Sequence, residues 1–255
     1  MNFKAGIFTL FISAFVTFSF AQENPNEYME EKPVRLQNDA SFGFLIHSNG
    51  LGIEGKRGFM LTYNKKWFLE SQLVGMKHPK EIKTINTRFD NPKSFIYGKM
   101  NTLTILRMAV GQQHVIYGKA DRTGVEVRVN YSGGLSIGFA KPVYLIIDHS
   151  GPNPEDPINQ VEEKYDPNDS RQNNVDNIVG RAPFTRGLDE LKPYPGLFMK
   201  TGLNFEYAPN HEDIKALEVG VAFDAFAKEI PIMAFTKNKQ FYLSFYITLI
   251  YGQKW

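Results

Sequence analysis

The last sixteen residues, QFYLSFYITLIYGQKW from Gln240 to Trp255, alternate almost without a break. Phe241, Leu243, Phe245, Ile247, Leu249 and Tyr251 take odd positions, while Tyr242, Ser244, Tyr246, Thr248 and Gly252 take even ones. Successive side chains on a strand point to opposite faces, so this period predicts a strand with a greasy odd face and a mostly polar even face. A soluble sandwich and a membrane barrel both accept such a strand.

The period of two returns upstream. Val125, Val127, Val129, Tyr131, Leu135, Ile137 and Phe139 oppose Glu126, Arg128, Asn130, Ser132 and Ser136. Leu197, Met199, Leu203 and Phe205 oppose Lys200, Asn204 and Glu206, and Leu217, Val219, Val221 and Phe223 oppose Glu218 and Asp224. Less regular strand candidates lie at 41–48, 51–58, 67–77 and about 100–116. The polar faces combine Gly, Ser and Asn with charges of both signs: Glu126, Arg128, Lys200, Glu206, Glu218, Asp224 and Lys228. Small residues and mixed charges suit the crowded interior of a narrow barrel, where ions pair and bulk is limited. Tyr and Phe towards the ends of the greasy faces suit interfacial girdles, and 14% aromatic content supplies them. The expected fold is all-β: a transmembrane up-and-down antiparallel barrel of about eight strands over residues 40–255, with ten strands as the alternative.

Connections fit that expectation. Turns near Lys65-Lys66, at 119–123 and at 209–211 are short, whereas 78–98 and 148–195 are long. Membrane barrels keep short turns on the periplasmic side and long loops outside. Counting back from a periplasmic C-terminus puts every long loop outside, and for the N-terminus to start in the periplasm residues 41–58 must form a hairpin through Asn49-Gly50, a favoured two-residue turn. Ala182 to Leu191, at the end of the longest loop, is a candidate short helix.

The N-terminus reads as an address. Lys4, an apolar stretch from Ile7 to Phe20, and Ser19-Phe20-Ala21 make a signal peptide over 1–21, because that stretch falls short of the ~20 residues a spanning helix needs. Residues 22–39 are polar and aperiodic, as in a flexible periplasmic lead-in. No cysteine occurs, so neither a lipid anchor nor a disulfide is available. A formal net charge of +2 argues against a nucleic-acid partner.

Chemistry-bearing patterns are few. The five histidines, His47, His78, His114, His149 and His211, show no spacing of three or four residues, so no metal site or cofactor is expected. Ser48 beside His47 and Ser150 beside His149 are not dyads by adjacency, since neighbours on a strand face opposite ways; no catalytic residue is expected. The loop from Asp148 to Glu190 carries ten acids against four bases. Asp156, Glu162, Glu163, Asp166 and Asp169 are the candidate partner-binding residues there, because unusually long loops in compact proteins are often functional. Lys77-His78-Pro79-Lys80-Glu81-Ile82-Lys83, at an outer strand exit, reads as interfacial lysine anchors, with lipid phosphate contact as the alternative.

The fragments HSNGLG (47–52), MKHPKEIK (76–83), YGKMN (97–101), VIYGKADRTGVEVR (115–128), KPVYL (141–145) and YPGLFMKTGLNFEY (194–207) resemble a family of small, largely uncharacterised outer-membrane barrels of Bacteroidetes. The resemblance implies an outer-membrane location in a Gram-negative bacterium and assigns no reaction. The expected role is a non-enzymatic accessory or scaffold subunit of an outer-membrane complex, the barrel-assembly machinery foremost. Its expected surroundings are outer-membrane lipid, lipopolysaccharide and a protein partner. A lipid-modifying enzyme of the lipid A deacylase or acyltransferase type and a narrow passive pore are the alternatives.

Overall fold

The computed structural model describes residues 38–62, 64–89, 92–119, 124–150, 159–208 and 212–255. The signal peptide and most of the lead-in lie outside the described residues, but Asn38 and Asp39 already belong to the first strand. In chain order the strands are β1 (Asn38–His47), β2 (Gly50–Thr62), β3 (Lys65–Met76), β4 (Lys83–Thr84), β5 (Phe95–Ile96), β6 (Asn101–Tyr117), β7 (Glu126–Pro142), β8 (Tyr144–Asp148), β9 (Gln160–Lys164), β10 (Ile178–Arg181), β11 (Lys192–Glu206), β12 (Asp213–Ile230) and β13 (Lys239–Lys254).

Eight of them close a barrel in the order β1-β13-β12-β11-β7-β6-β3-β2, every pair antiparallel. The C-terminal run that opened the sequence reading is the closing strand: β13 pairs with β12 on one side and with β1 on the other, from Asp39↔Lys254 to His47↔Tyr246. The sheet therefore has no free edge, as hydrocarbon surroundings demand. Pro193 and Pro195 sit in β11 before its pairing with β12 begins at Gly196, where a missing N–H costs no ladder bond on that side.

Parity works as the alternation requires. On β13 Phe241, Leu243, Phe245, Ile247 and Leu249 are exposed, while Tyr242, Ser244, Tyr246, Thr248 and Ile250 are buried. Met108, Leu135, Leu197 and Met199 continue the apolar belt around the wall. Inside are Glu54, Glu70, Gln72, Arg107, Arg128, Lys200, Glu218 and Asp224, all buried. A barrel that is greasy outside and ionic inside is arranged to span a membrane. Trp67, whose ring centroid lies 5.2 Å from that of Phe59 at a tilt of 32°, and Trp255, under the Arg57 guanidinium at 4.2 Å, mark the aromatic rim at the end that carries Asn38 and Lys254.

Four local expectations are corrected. The first hairpin turns at Ser48-Asn49, because Gly50 pairs with His47. Gly50 itself has φ +156°, and a Cβ there would lie 2.0 Å from the Gly75 carbonyl oxygen on β3. Lys65 and Lys66 open β3 instead of forming a turn, and Lys66 reaches inward to Asp39. Lys228 is exposed: pairing of β12 with β13 lapses between Ala225 and Ile230, so the parity that would aim it inward is lost. Ala182 to Leu191 is not a helix but consecutive turns, with Gly187 at φ +77° interrupting any helical run.

Lys200 Nζ lies 2.9 Å from Glu54, 2.8 Å from Glu70 and 2.9 Å from Glu218. Lys200→Met is expected to destabilise the barrel by about 3–5 kcal/mol, because it leaves three buried carboxylates short of their shared cation. Urea unfolding of the protein in phosphatidylcholine liposomes, followed by tryptophan fluorescence, measures it.

Candidate functional site

The lumen is the first place to look, and side chains fill it. Arg107 grips Asp224 through two bonds of 3.0 and 2.5 Å and stacks 4.7 Å over Phe198. Gln72 accepts from Arg107 at 2.9 Å and donates to Glu54 and Glu70 at 2.9 and 2.5 Å, joining that pair to the Lys200 cluster. Lys56 adds a bond of 2.7 Å to Glu218, which also accepts from Asn130 at 2.7 Å and from Tyr246 at 2.9 Å. Nearer the termini, Arg128 pairs with Glu206 at 2.6 Å and Lys66 with Asp39 at 2.5 Å. The space left beside Lys66 and Arg128 is about 20 Å³, about what one water needs. Gly43 shows how tight the filling is, since a Cβ there would sit 2.7 Å from Thr248 and 2.8 Å from Glu54.

The outer end is a built cap, not a set of loose loops. Only Val143 separates β7 from β8, which makes a three-stranded sheet with β9 and β10, and β4 pairs with β5 in the connection from β3 to β6. Phe95, Leu145, Ile147, Tyr165, Ile178 and Ala234 form a second apolar core beneath that sheet. Three connections are stitched together across it. Asn86 donates to the carbonyls of Val175, Asp176 and Ile178, Tyr97 donates to the Asn173 carbonyl, and the Ala234 N–H donates to the Gly98 carbonyl at 2.7 Å. Burial pushes the Tyr165 hydroxyl up to about 12.

The acidic side chains picked out in this loop hold the cap to itself. Glu162 pairs with Arg186 at 2.6 Å; Glu163 lies 2.9 Å from His149 and accepts from Gln172. Asp166 and Asp169 accept backbone N–H bonds from Asn168 and Arg171, both at 2.9 Å. Glu190 accepts from Lys164 and Tyr144, bonds that hold its carboxyl below the usual range and push the tyrosine hydroxyl up. Asp156 lies outside the described residues. His149 also contacts Arg171, and Ser150 Oγ donates to Asp148 at 2.6 Å, so this serine is turned away from its neighbouring histidine. His47 Nδ1 accepts from the Asn49 N–H at 3.2 Å, and His114 meets Tyr131 on the outer wall at 2.9 Å. Among the described residues no three His, Asp or Glu side chains group as a metal would need.

The feature that a linear reading missed is a cleft of about 410 Å³ between the cap and the barrel rim. Five cations line it, Lys83, Lys93, Lys99, Lys141 and Arg181, together with Phe95, Val143, Tyr144, Pro183 and Phe184. No carboxylate is among its lining residues. Lys141 is nine-tenths buried; its Nζ donates to the Arg186 carbonyl at 2.9 Å and lies 4.9 Å from the Phe184 ring. Lys99 is tied to Glu81 at 2.6 Å. The basic run at 77–83 contributes Lys83 alone; Lys93 and Lys99 come from later in the same connection, Lys141 from the end of β7 and Arg181 from β10, and no spacing in the chain announces them.

No protein-family model and no curated protein matches the chain. Among solved structures it is similar to Neisserial surface protein A, with 9% identity and TM-score 0.41, over 86% of this chain and 97% of that one. It is also similar to the N-terminal β-barrel domain of Pseudomonas aeruginosa OprF, with 10% identity and TM-score 0.36, over 87% and 100%. A third is Ail, the attachment invasion locus protein of Yersinia pestis, with 8% identity and TM-score 0.37, over 86% and 97%. Likeness this remote says nothing about the cleft.

Gly180 on β10 packs against the Lys93 backbone, and a Cβ there would lie 2.5 Å from the Lys93 carbonyl oxygen. Gly180→Val is therefore expected to prise the Lys93 segment off the cap while sparing the barrel. Limited trypsin digestion should then cut at Lys93 and Arg181 at least about tenfold faster, as expected when a local opening becomes easier by ~1.4 kcal/mol. The gel-mobility shift on heating that marks a folded barrel should persist.

Proposed function

We propose that this chain is a non-conducting barrel of the outer membrane that works through its cap, as an accessory subunit of a larger outer-membrane assembly and not as an enzyme or a pore. The observation that carries this reading is the contrast between the two ends of the lumen axis. The interior is closed by a continuous ion network, which leaves transport no path, while the outer connections are folded into a rigid cap with its own core. A cap of that kind is costly in ordered backbone unless it presents a surface to something. Ile82, Phe184 and Phe235 stay largely exposed on it, at 74%, 73% and 69%, and supply apolar contact area for a protein partner. The barrel-assembly machinery is the first complex to look for.

Extraction from native membranes in mild detergent, with an affinity tag after Ala21, is expected to bring down a partner in stoichiometric amount. Deleting residues 155–180, which removes β9 and most of β10, should lose that partner while the barrel still shows its heat-dependent mobility. A chain that comes out alone, or a deletion that keeps its partner, removes the cap-docking role. In planar bilayers the purified protein is expected to give no stable conductance steps; regular steps would put a pore in its place.

A further inference from the structure

The basic cleft sits at a particular height on the barrel wall. Thr102 on β6 and Lys141 on β7 are register partners at the outer ends of their strands. Both lie on the outward parity: Leu135 and Ile137 lead up β7 to Lys141, and Met108 leads up β6 to Thr102. Four residues from Ile137 to Lys141 rise roughly 13 Å along the strand. The cleft thus opens directly above the exposed apolar belt, where that belt gives way to the cap. A hydrocarbon chain lying against the wall at Met108, Leu135 and Ile137 would lead its polar head into the cleft.

Charge placement says what kind of head fits. The cap's longest loop is rich in acids, and three cations of the cap outside the cleft are paired with them: Arg88 with Asp176, Lys164 with Glu190, Arg186 with Glu162. In the cleft, by contrast, Lys83, Lys93, Lys141 and Arg181 have no carboxylate partner among the described residues. Lys141 is the telling one. It is nine-tenths buried, its one hydrogen bond goes to a neutral carbonyl, and an ammonium withdrawn from water without a counter-charge is unfavourable. No acid among the described residues pairs with it. An incoming anion would supply the missing charge, with the Arg181 fork and the exposed lysines closing round its oxygens. Phe184 and Pro183 line the cleft beside those cations as an apolar patch.

We propose that this cleft binds the phosphate of a lipid headgroup in the membrane leaflet that abuts the cap, clamping one phosphorylated lipid against the β6–β7 wall. The proposal rests on the reading of the chain as a membrane-spanning barrel. It deepens that reading by giving the cap a lipid ligand that is independent of any protein partner.

The test is native mass spectrometry of the full chain in detergent, titrated with bis-phosphorylated lipid A, with the same lipid dephosphorylated, and with inorganic phosphate as competitor. The wild-type protein is expected to bind the phosphorylated form at least about tenfold more tightly, since each charge-assisted bond to phosphate is worth a factor of that order. The triple variant Lys83→Ala, Lys93→Ala, Arg181→Ala, which changes exposed side chains alone, should lose that preference, and Lys141→Met should weaken it as well. Equal binding of the two lipids by the wild type, or an undiminished preference in the triple variant, overturns the proposal. Displacement of the lipid by inorganic phosphate at matching concentration would show a site for a soluble anion and overturn its lipid part. Insertion into phosphatidylcholine liposomes, scored by the heat-dependent mobility shift, reports separately on the barrel. A chain that fails to insert refutes the membrane reading, whereas one that inserts without distinguishing the two lipids refutes the cleft alone.

Discussion

Lys200 stands near the middle of the lumen with Glu54, Glu70 and Glu218 around its ammonium and the Tyr246 ring 4.6 Å away. These residues come from β11, β2, β3, β12 and β13, so one cation ties together five of the eight barrel strands. An outside made of Leu, Phe and Met gives the barrel no reason to stay narrow in hydrocarbon, because lipid solvates such a wall as well as protein does. The inward attraction has to come from inside, and buried charges are strong there only when each is paired and hydrogen-bonded. Ser132 takes up the Glu70 oxygen that Lys200 leaves free, and Gln72, Asn130 and Asn204 add bonds to oxygens of Glu54 and Glu218 that Lys200 and Lys56 already hold.

The same network fills the lumen. Each side chain that holds the wall together also occupies the lumen, so stability and conduction compete for one space. With eight strands that contest is settled in favour of packing. On the reading proposed above, function belongs to the ends and the outer wall, and of the two ends the one opposite Asn38 and Trp255 has the material, with three connections folded into a common core.

Charge is handled differently in the lumen, the cap and the cleft. In the lumen nearly every ion finds its opposite, and in the cap the acids are taken up by local arginines, lysines and backbone amides. In the cleft four of the five cations have no carboxylate partner among the described residues, and Lys141 is buried there against a neutral carbonyl. A surplus of one sign held in a concave, partly dry place is the usual physical mark of a site shaped for a ligand of the other sign. The acidic composition of the longest loop gives no hint of this, because the acids placed nearest, Glu162 and Glu190, are engaged by Arg186, Lys164 and Tyr144.

What the chain alone determined follows from a local rule. Side chains alternate along a strand, so the parity of QFYLSFYITLIYGQKW, of 125–139 and of 197–207 carried the lipid face, the lumen face and the barrel itself, and the lengths of the connections carried the up-and-down order. Parity failed at Lys228, where strands stop pairing, while the expected turn at Asn49-Gly50 and the expected helix over 182–191 gave way where Gly50 and Gly187 take positive φ. What tertiary structure alone decided is which charge meets which. Lys200 reaches Glu54 across 146 residues of chain, and Lys83, Lys93, Lys99, Lys141 and Arg181 converge from segments that share no spacing. Such meetings depend on barrel closure and on the docking of three connections over the rim. No period in the sequence encodes either, because both are contacts between parts of the chain that are far apart along it.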